Sequence, residues 1–141
     1  MVDRDEHERD EHERGLALFL VGDWRARFRE SLAPAKRRNK LRSQLPHFTH
    51  LDPRFATLVP TGEQRAVELG ARLRDLGAGD RCFLLSEDAK LDGRELPLDE
   101  ALVAIVDGAS DLATFVSCVP GRLAYFHDEE PANRYLLEHP G

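Results

Sequence analysis

Two apolar runs, 113–119 (Ala-Thr-Phe-Val-Ser-Cys-Val) and 122–127 (Arg-Leu-Ala-Tyr-Phe-His), are separated only by Pro120-Gly121. Proline presets φ at about −65° for the first central position of a type II turn, and glycine accepts the positive φ that the second demands. The chain is expected to reverse there, so the second run returns antiparallel to the first. This hairpin anchors the sheet half of the fold, and the remaining punctuation is read against it.

Upstream of the hairpin the period changes from two to nearly four. Leu16, Leu20, Trp24, Phe28 and Leu32 recur every fourth residue and line one helical stripe, which predicts helix through most of 15–32, with Gly22-Asp23 as a point of interruption. Pro34 suits the first turn of a second helix reaching Leu45, which Pro46 ends. After a loop at 47–53, a short strand is expected at 55–59. Thr61-Gly-Glu-Gln64 has the spacing of a capping box, and Leu69, Leu73 and Leu76 give an apolar row before Gly77 and Gly79. Arg81 to Ser86 reads as a strand covered on both faces, Leu98, Ala101, Leu102 and Ile105 as another helical stripe, and 134–137 as a last short strand. Helices first, then strands interleaved with helices, is the order of an α+β domain. The expectation is N-terminal helices followed by a small mixed or antiparallel sheet of about four strands, with two packed helices.

At 141 residues the chain fits one domain that needs neither disulfides nor metal to fold. Ahead of it stand two tandem copies of Asp-Glu-His-Glu-Arg, at 5–9 and 10–14, with nothing that can form a core. Residues 1–14 are therefore read as an acidic, solvated helical extension and 15–141 as the domain. Cys82 and Cys118 lie in apolar strand-like runs, where a reduced thiol behaves as a small hydrophobe. The N-terminus lacks the pattern of a secretory signal and no apolar run is long enough to span a bilayer, so the expected location is cytoplasmic, with no membrane partner.

Charge carries the functional clue. Residues 25–43 hold eight basic side chains against the single acid Glu30, a local charge of +7, while the rest of the chain sums to −13. On a helical wheel Arg25, Arg27 and Arg29 flank the stripe of Trp24, Phe28 and Leu32, whose aromatic rings read as core. In the second helix the apolar stripe is narrow, and Lys36, Arg37 and Lys40 cluster on the opposite face, with Arg38 and Arg42 at its margins. These five are the candidate binding residues for an anionic partner. The acidic repeat is their candidate internal competitor, able to fold over the basic helix.

Other constellations are weaker. His47-Phe-Thr-His50 lacks the further ligands that zinc requires, and His7 and His12 are one residue too far apart for a metalloprotease helix. Asp88, Asp92 and Gly93 match calcium-loop positions, but Lys90 stands where an oxygen ligand is needed. No metal and no cofactor is expected. There is no nucleophile elbow, no phosphate-binding loop and no dinucleotide fingerprint. The preferred reading is a small, non-enzymatic, regulatory or adaptor-like protein that meets an acidic protein surface through its basic helix. Nucleic acid bound by the same helix is the first alternative. The second is a small enzyme that sets His47 or His50 across a cleft from Glu87, Asp88 and Asp92.

Overall fold

In the computed structural model, residues 4–108 and 112–140 are described. Helices α1 (Arg4–Gly15), α2 (Gly22–Glu30) and α3 (Ala35–Ser43) come first, followed by strand β1 (Ala56–Leu58) and helix α4 (Ala66–Asp75). Then come β2 (Arg81–Ser86), β3 (Glu95–Pro97), α5 (Leu98–Leu102), β4 (Thr114–Val119), β5 (Leu123–His127) and β6 (Tyr135–Glu138). The six strands form one sheet in the order β1-β6-β5-β4-β2-β3, antiparallel at every pairing. The α+β class agrees with the sequence, whereas the strand count exceeds the expected four or so. β3 holds only three residues, too few for an alternation to register.

The hairpin is where Pro120-Gly121 places it. Gly121 has φ of +68°, and β4 and β5 run back along each other with Phe115 opposite Phe126 and Val116 opposite Tyr125. Because strand side chains alternate between faces, these apolar runs feed two cores. On one face Leu84, Val116, Tyr125 and Leu136 pack with Leu69 and Leu73 of α4 and Leu98 and Leu102 of α5. On the other, Leu85, Phe115, Phe126 and Leu137 pack with Leu16, Phe19, Phe28 and Leu41 from the N-terminal helices. Helices thus cover both faces of the antiparallel sheet.

The N-terminal layer departs from the uninterrupted stripe. Leu16–Phe19 is a 3₁₀ turn, Leu20 makes an isolated bridge with Leu51, and the Val21 N–H donates to the His50 carbonyl before α2 begins at Gly22. The stripe survives because Leu16, Leu20, Phe28 and Leu32 all remain buried. The capping box also resolves differently: Thr61–Glu63 is a separate 3₁₀ turn, Gln64 donates to the carbonyls of Val59 and Pro131, and Asp107 Oδ1 accepts from the Ala66 N–H. α4 therefore borrows its cap from a residue 41 positions away, which no local pattern encodes. Among the described residues no helix is long and apolar enough to cross a membrane.

The acidic repeat is helical. Most of its described side chains are exposed. The second copy nevertheless docks on the sheet: His12 Nδ1 lies 2.7 Å from Ser117 Oγ, and its ring stacks on Phe83 with centroids 4.3 Å apart. Glu13 is buried, and Gly15 lies against the backbone of Gly121, where a Cβ would come within 2.5 Å of the Gly121 nitrogen. A period of five residues turns each copy by about 140° around the helix. Hence the first copy does not turn the same side to the sheet, and His7 is exposed.

Candidate functional site: a cationic groove between α2 and α3

α2 and α3 are joined by residues 31–34, with Pro34 in extended geometry at the start of α3. Arg38 and Leu41, three residues apart, form the inward side of α3, and Lys36, Arg37, Asn39 and Lys40 face outward. The basic island accordingly splits by helical phase into a part used inside the fold and a part left on the surface.

Arg38 belongs to the interior, a correction to its place on the cationic surface. Its Nη1 and Nη2 donate to the two Glu13 carboxylate oxygens at 2.9 and 2.6 Å, and its Nε and Nη2 to the Asp92 oxygens at 2.9 and 3.0 Å. Nη1 also donates to the Leu32 carbonyl at 3.0 Å, so all five N–H groups are used. Two flanking carboxylates hold this guanidinium well above the ordinary arginine range, despite the opposing effect of burial. Arg42 is likewise consumed: it donates to the carbonyls of Ser86 and Glu87 at 2.7 and 3.0 Å and lies 3.5 Å from Asp92. Together the two arginines fasten α1 and the β2–β3 loop to α3. The acidic repeat does therefore meet the basic helix, but through Glu13 at its buried side and not by lying over Lys36, Arg37 and Lys40.

Those three cations, and Arg27 of α2, make no ion pair among the described residues. Arg27, Arg37 and Lys40 line a groove of about 350 Å³ between α2 and α3, whose floor and walls are Trp24, Phe28, Leu41, Ser31 and Gln44, with Glu30 the one acid. Trp24 is engaged by two side chains. The His50 ring stacks on it with centroids 3.7 Å apart, and the Arg27 guanidinium lies over the ring 5.0 Å from its centroid. Burial, reinforced by Arg27, keeps His50 below the usual imidazole range, so it is a neutral backing for the indole. On the sequence alone Trp24 reads as core and Arg27 as its flank. The signal that could have revealed their contact is the i,i+3 spacing, which places a guanidinium over an indole.

The acid-loop and histidine residues are placed apart. His47, with φ of +56°, pairs with Asp128 and Glu129 at 3.4 and 3.2 Å, and His50 is committed to Trp24 and Phe48. Glu87 accepts the Ala113 N–H, Asp88 accepts the Lys90 N–H in its own turn, and Asp92 serves the two arginines. Among the described residues no hydrogen bond, ion pair or ring contact joins either histidine to Glu87 or Asp92. Among the described residues no group of three or more His, Cys, Asp or Glu side chains is arranged to hold a metal ion. Compared with known proteins, the chain matches no family model, no curated protein and no solved structure.

Proposed function

We propose that this is a small non-enzymatic binding protein whose α2–α3 groove receives an acidic segment of another protein. The observation that carries the reading is selective use of the basic island. Arg38 is saturated by the fold and Arg42 is tied to the β2–β3 loop, while Lys36, Arg37, Lys40 and Arg27 are exposed and without an ion pair among the described residues, three of them around one groove. Unspent like charges held together repel, and an anionic partner relieves that repulsion as it binds. The mixed lining suits a segment that offers carboxylates to Arg27, Arg37 and Lys40 and one apolar side chain to the floor.

Nucleic acid is the second reading, favoured by two short helices linked by four residues, with a basic outer face on the second. Single-stranded bases call for open aromatic platforms, and Trp24 is already engaged by His50 and Arg27. That weighs toward carboxylates. The test is fluorescence anisotropy at low salt with labelled poly-glutamate, duplex DNA and single-stranded DNA, using the parent chain and the K36E/R37E/K40E variant. Binding of poly-glutamate, weakened about tenfold or more by the triple reversal, is expected. DNA bound in preference to poly-glutamate moves the conclusion to the second reading. Anion binding that the triple variant leaves intact overturns both.

A further inference from the structure

The ladder between β2 and β4 pairs Phe83 with Ser117, Leu84 with Val116, Leu85 with Phe115 and Ser86 with Thr114. Continued by one residue, this register sets Cys82 opposite Cys118. Antiparallel partners alternate between hydrogen-bonded pairs and closer, non-hydrogen-bonded ones, and Leu84 fixes the phase. Its N–H donates to the Arg94 carbonyl at 3.0 Å and its carbonyl accepts the Gly93 N–H at 2.8 Å, so both groups point toward β3 and away from β4. The Glu87 N–H, donating to the Ala113 carbonyl at 2.9 Å, gives the same phase from the other end. Cys82 and Cys118, two residues beyond Leu84 and Val116, therefore form a non-hydrogen-bonded pair.

Both cysteines belong to the core on the α4 and α5 side of the sheet. Non-hydrogen-bonded partners stand with Cα atoms about 4.5 Å apart, within the span of about 4.4–6.8 Å that a disulfide bridges. The Ser86/Thr114 pair is of the same kind on the same face, and its γ oxygens meet at 2.7 Å. Both thiols are free, Cys82 Sγ lying 3.6 Å from the Leu96 carbonyl oxygen and Cys118 Sγ 4.0 Å from that of Val116. Burial raises both thiols above their ordinary range, Cys82 to about 12, and the neighbouring Cys82 adds to the rise at Cys118. The β4–β5 register shifts between Ser117 and Val119, so Cys118 sits where the ladder is locally disrupted.

We propose that Cys82 and Cys118 are a latent cross-strand dithiol, a redox-modification site that closes to a disulfide by exchange with a small disulfide such as oxidised glutathione. In the first step the Cys118 sulfur loses its proton and attacks one glutathione sulfur, forming a mixed disulfide and expelling one glutathione thiolate. In the second, the Cys82 sulfur loses its proton and attacks the Cys118 sulfur, forming the protein disulfide and expelling the other thiolate. The two protein thiols give up two protons and two electrons, and the small disulfide takes them up as two molecules of reduced glutathione. Closure needs rotation about the two Cα–Cβ bonds, which swings each sulfur away from its carbonyl. Thiolate is scarce in the folded core at neutral pH, so the exchange runs fastest while the chain is folding.

The test is to unfold the whole chain, refold it in oxidised or in reduced glutathione, and compare it with Cys82→Ser and Cys118→Ser. The expected product in oxidised glutathione has lost the mass of two hydrogens, has no thiol left to alkylate in denaturant, and keeps the near-ultraviolet dichroism of the reduced protein. Each single variant should retain a thiol that is free or capped by glutathione. The proposal is overturned if both thiols of the parent remain alkylatable, if each carries its own glutathione, if the bridge joins two chains, or if closing it abolishes the native near-ultraviolet signal.

Discussion

Arg37 and Arg38 are adjacent and chemically identical, yet the structure predicts opposite outcomes on truncation to alanine. Arg37→Ala removes an exposed side chain with no ion pair, and its effect should stay within about 0.5 kcal/mol. Arg38→Ala removes five hydrogen bonds, four of them to carboxylates. Counting each charge-assisted bond at about 1.5–3 kcal/mol would overshoot, because the partners keep other contacts and such terms do not add. Asp92 retains Arg42 at 3.5 Å and the Ser86 N–H at 3.0 Å. Glu13, whose side chain is only 7% exposed, retains Arg9 at 3.6 Å. The cost is therefore mainly that of one poorly compensated buried carboxylate, and orphaning a buried ion-pair partner costs about 3–5 kcal/mol. With these weaker partners remaining, we expect the lower end, about 3 kcal/mol, a large share of the total stability of a domain this size. Urea unfolding followed by far-ultraviolet dichroism measures it, and an unchanged m-value would assign the loss to the native contacts. Equal midpoints for the two variants, or a cost below about 1 kcal/mol for Arg38→Ala, would refute the reasoning.

Three further outcomes follow from the packing. His127 is fully buried, its Nδ1 lies 2.8 Å from the Tyr125 hydroxyl, and its Nε2 has no hydrogen-bond partner among the described residues. Burial, aided by Arg134, pushes it from 6.5 down to about 4. Between those pH values the unfolded chain binds a proton that the folded chain refuses, so stability should fall by about 3 kcal/mol as pH drops through that window and then level off for this group. His127→Gln should flatten that limb in a series of urea titrations, and an unaltered acid limb would contradict it. Gly15→Ala should destabilise by about 1–3 kcal/mol, because its Cβ would meet the backbone of Gly121 and not a yielding side chain, and thermal unfolding reads this directly. His12→Ala removes the Ser117 hydrogen bond and the Phe83 stack, and chemical denaturation should show a loss of about 1–2 kcal/mol.

Local chemistry was sufficient wherever neighbours in sequence are also neighbours in space. Pro120-Gly121 specified the β4–β5 hairpin, the i,i+4 leucines specified most of α4, and the four-residue period identified the buried side of the N-terminal helices even where the helix breaks. What failed were features whose partner lies far along the chain: the cap of α4, supplied by Asp107, and the three-residue edge strand β3, which exists only because β2 stands beside it. The candidate site divides the same way. A helical wheel separates Lys36, Arg37 and Lys40 from Leu41, and these three are exposed and make no ion pair among the described residues.

Spacing and composition are enough to specify an antiparallel hairpin inside an α+β domain and a basic segment opposed by an acidic repeat. Which cations are spent depends on long-range packing. Arg38 and Arg42 are neutralised by Glu13 and Asp92, 25 and 54 residues from Arg38, and by carbonyls of the β2–β3 loop. The same packing forms the groove, because Arg27 and Lys40 meet only once α2 and α3 fold toward each other. Charge in a sequence is a sum over residues, whereas the charge a partner feels is what remains after the fold has formed its own pairs.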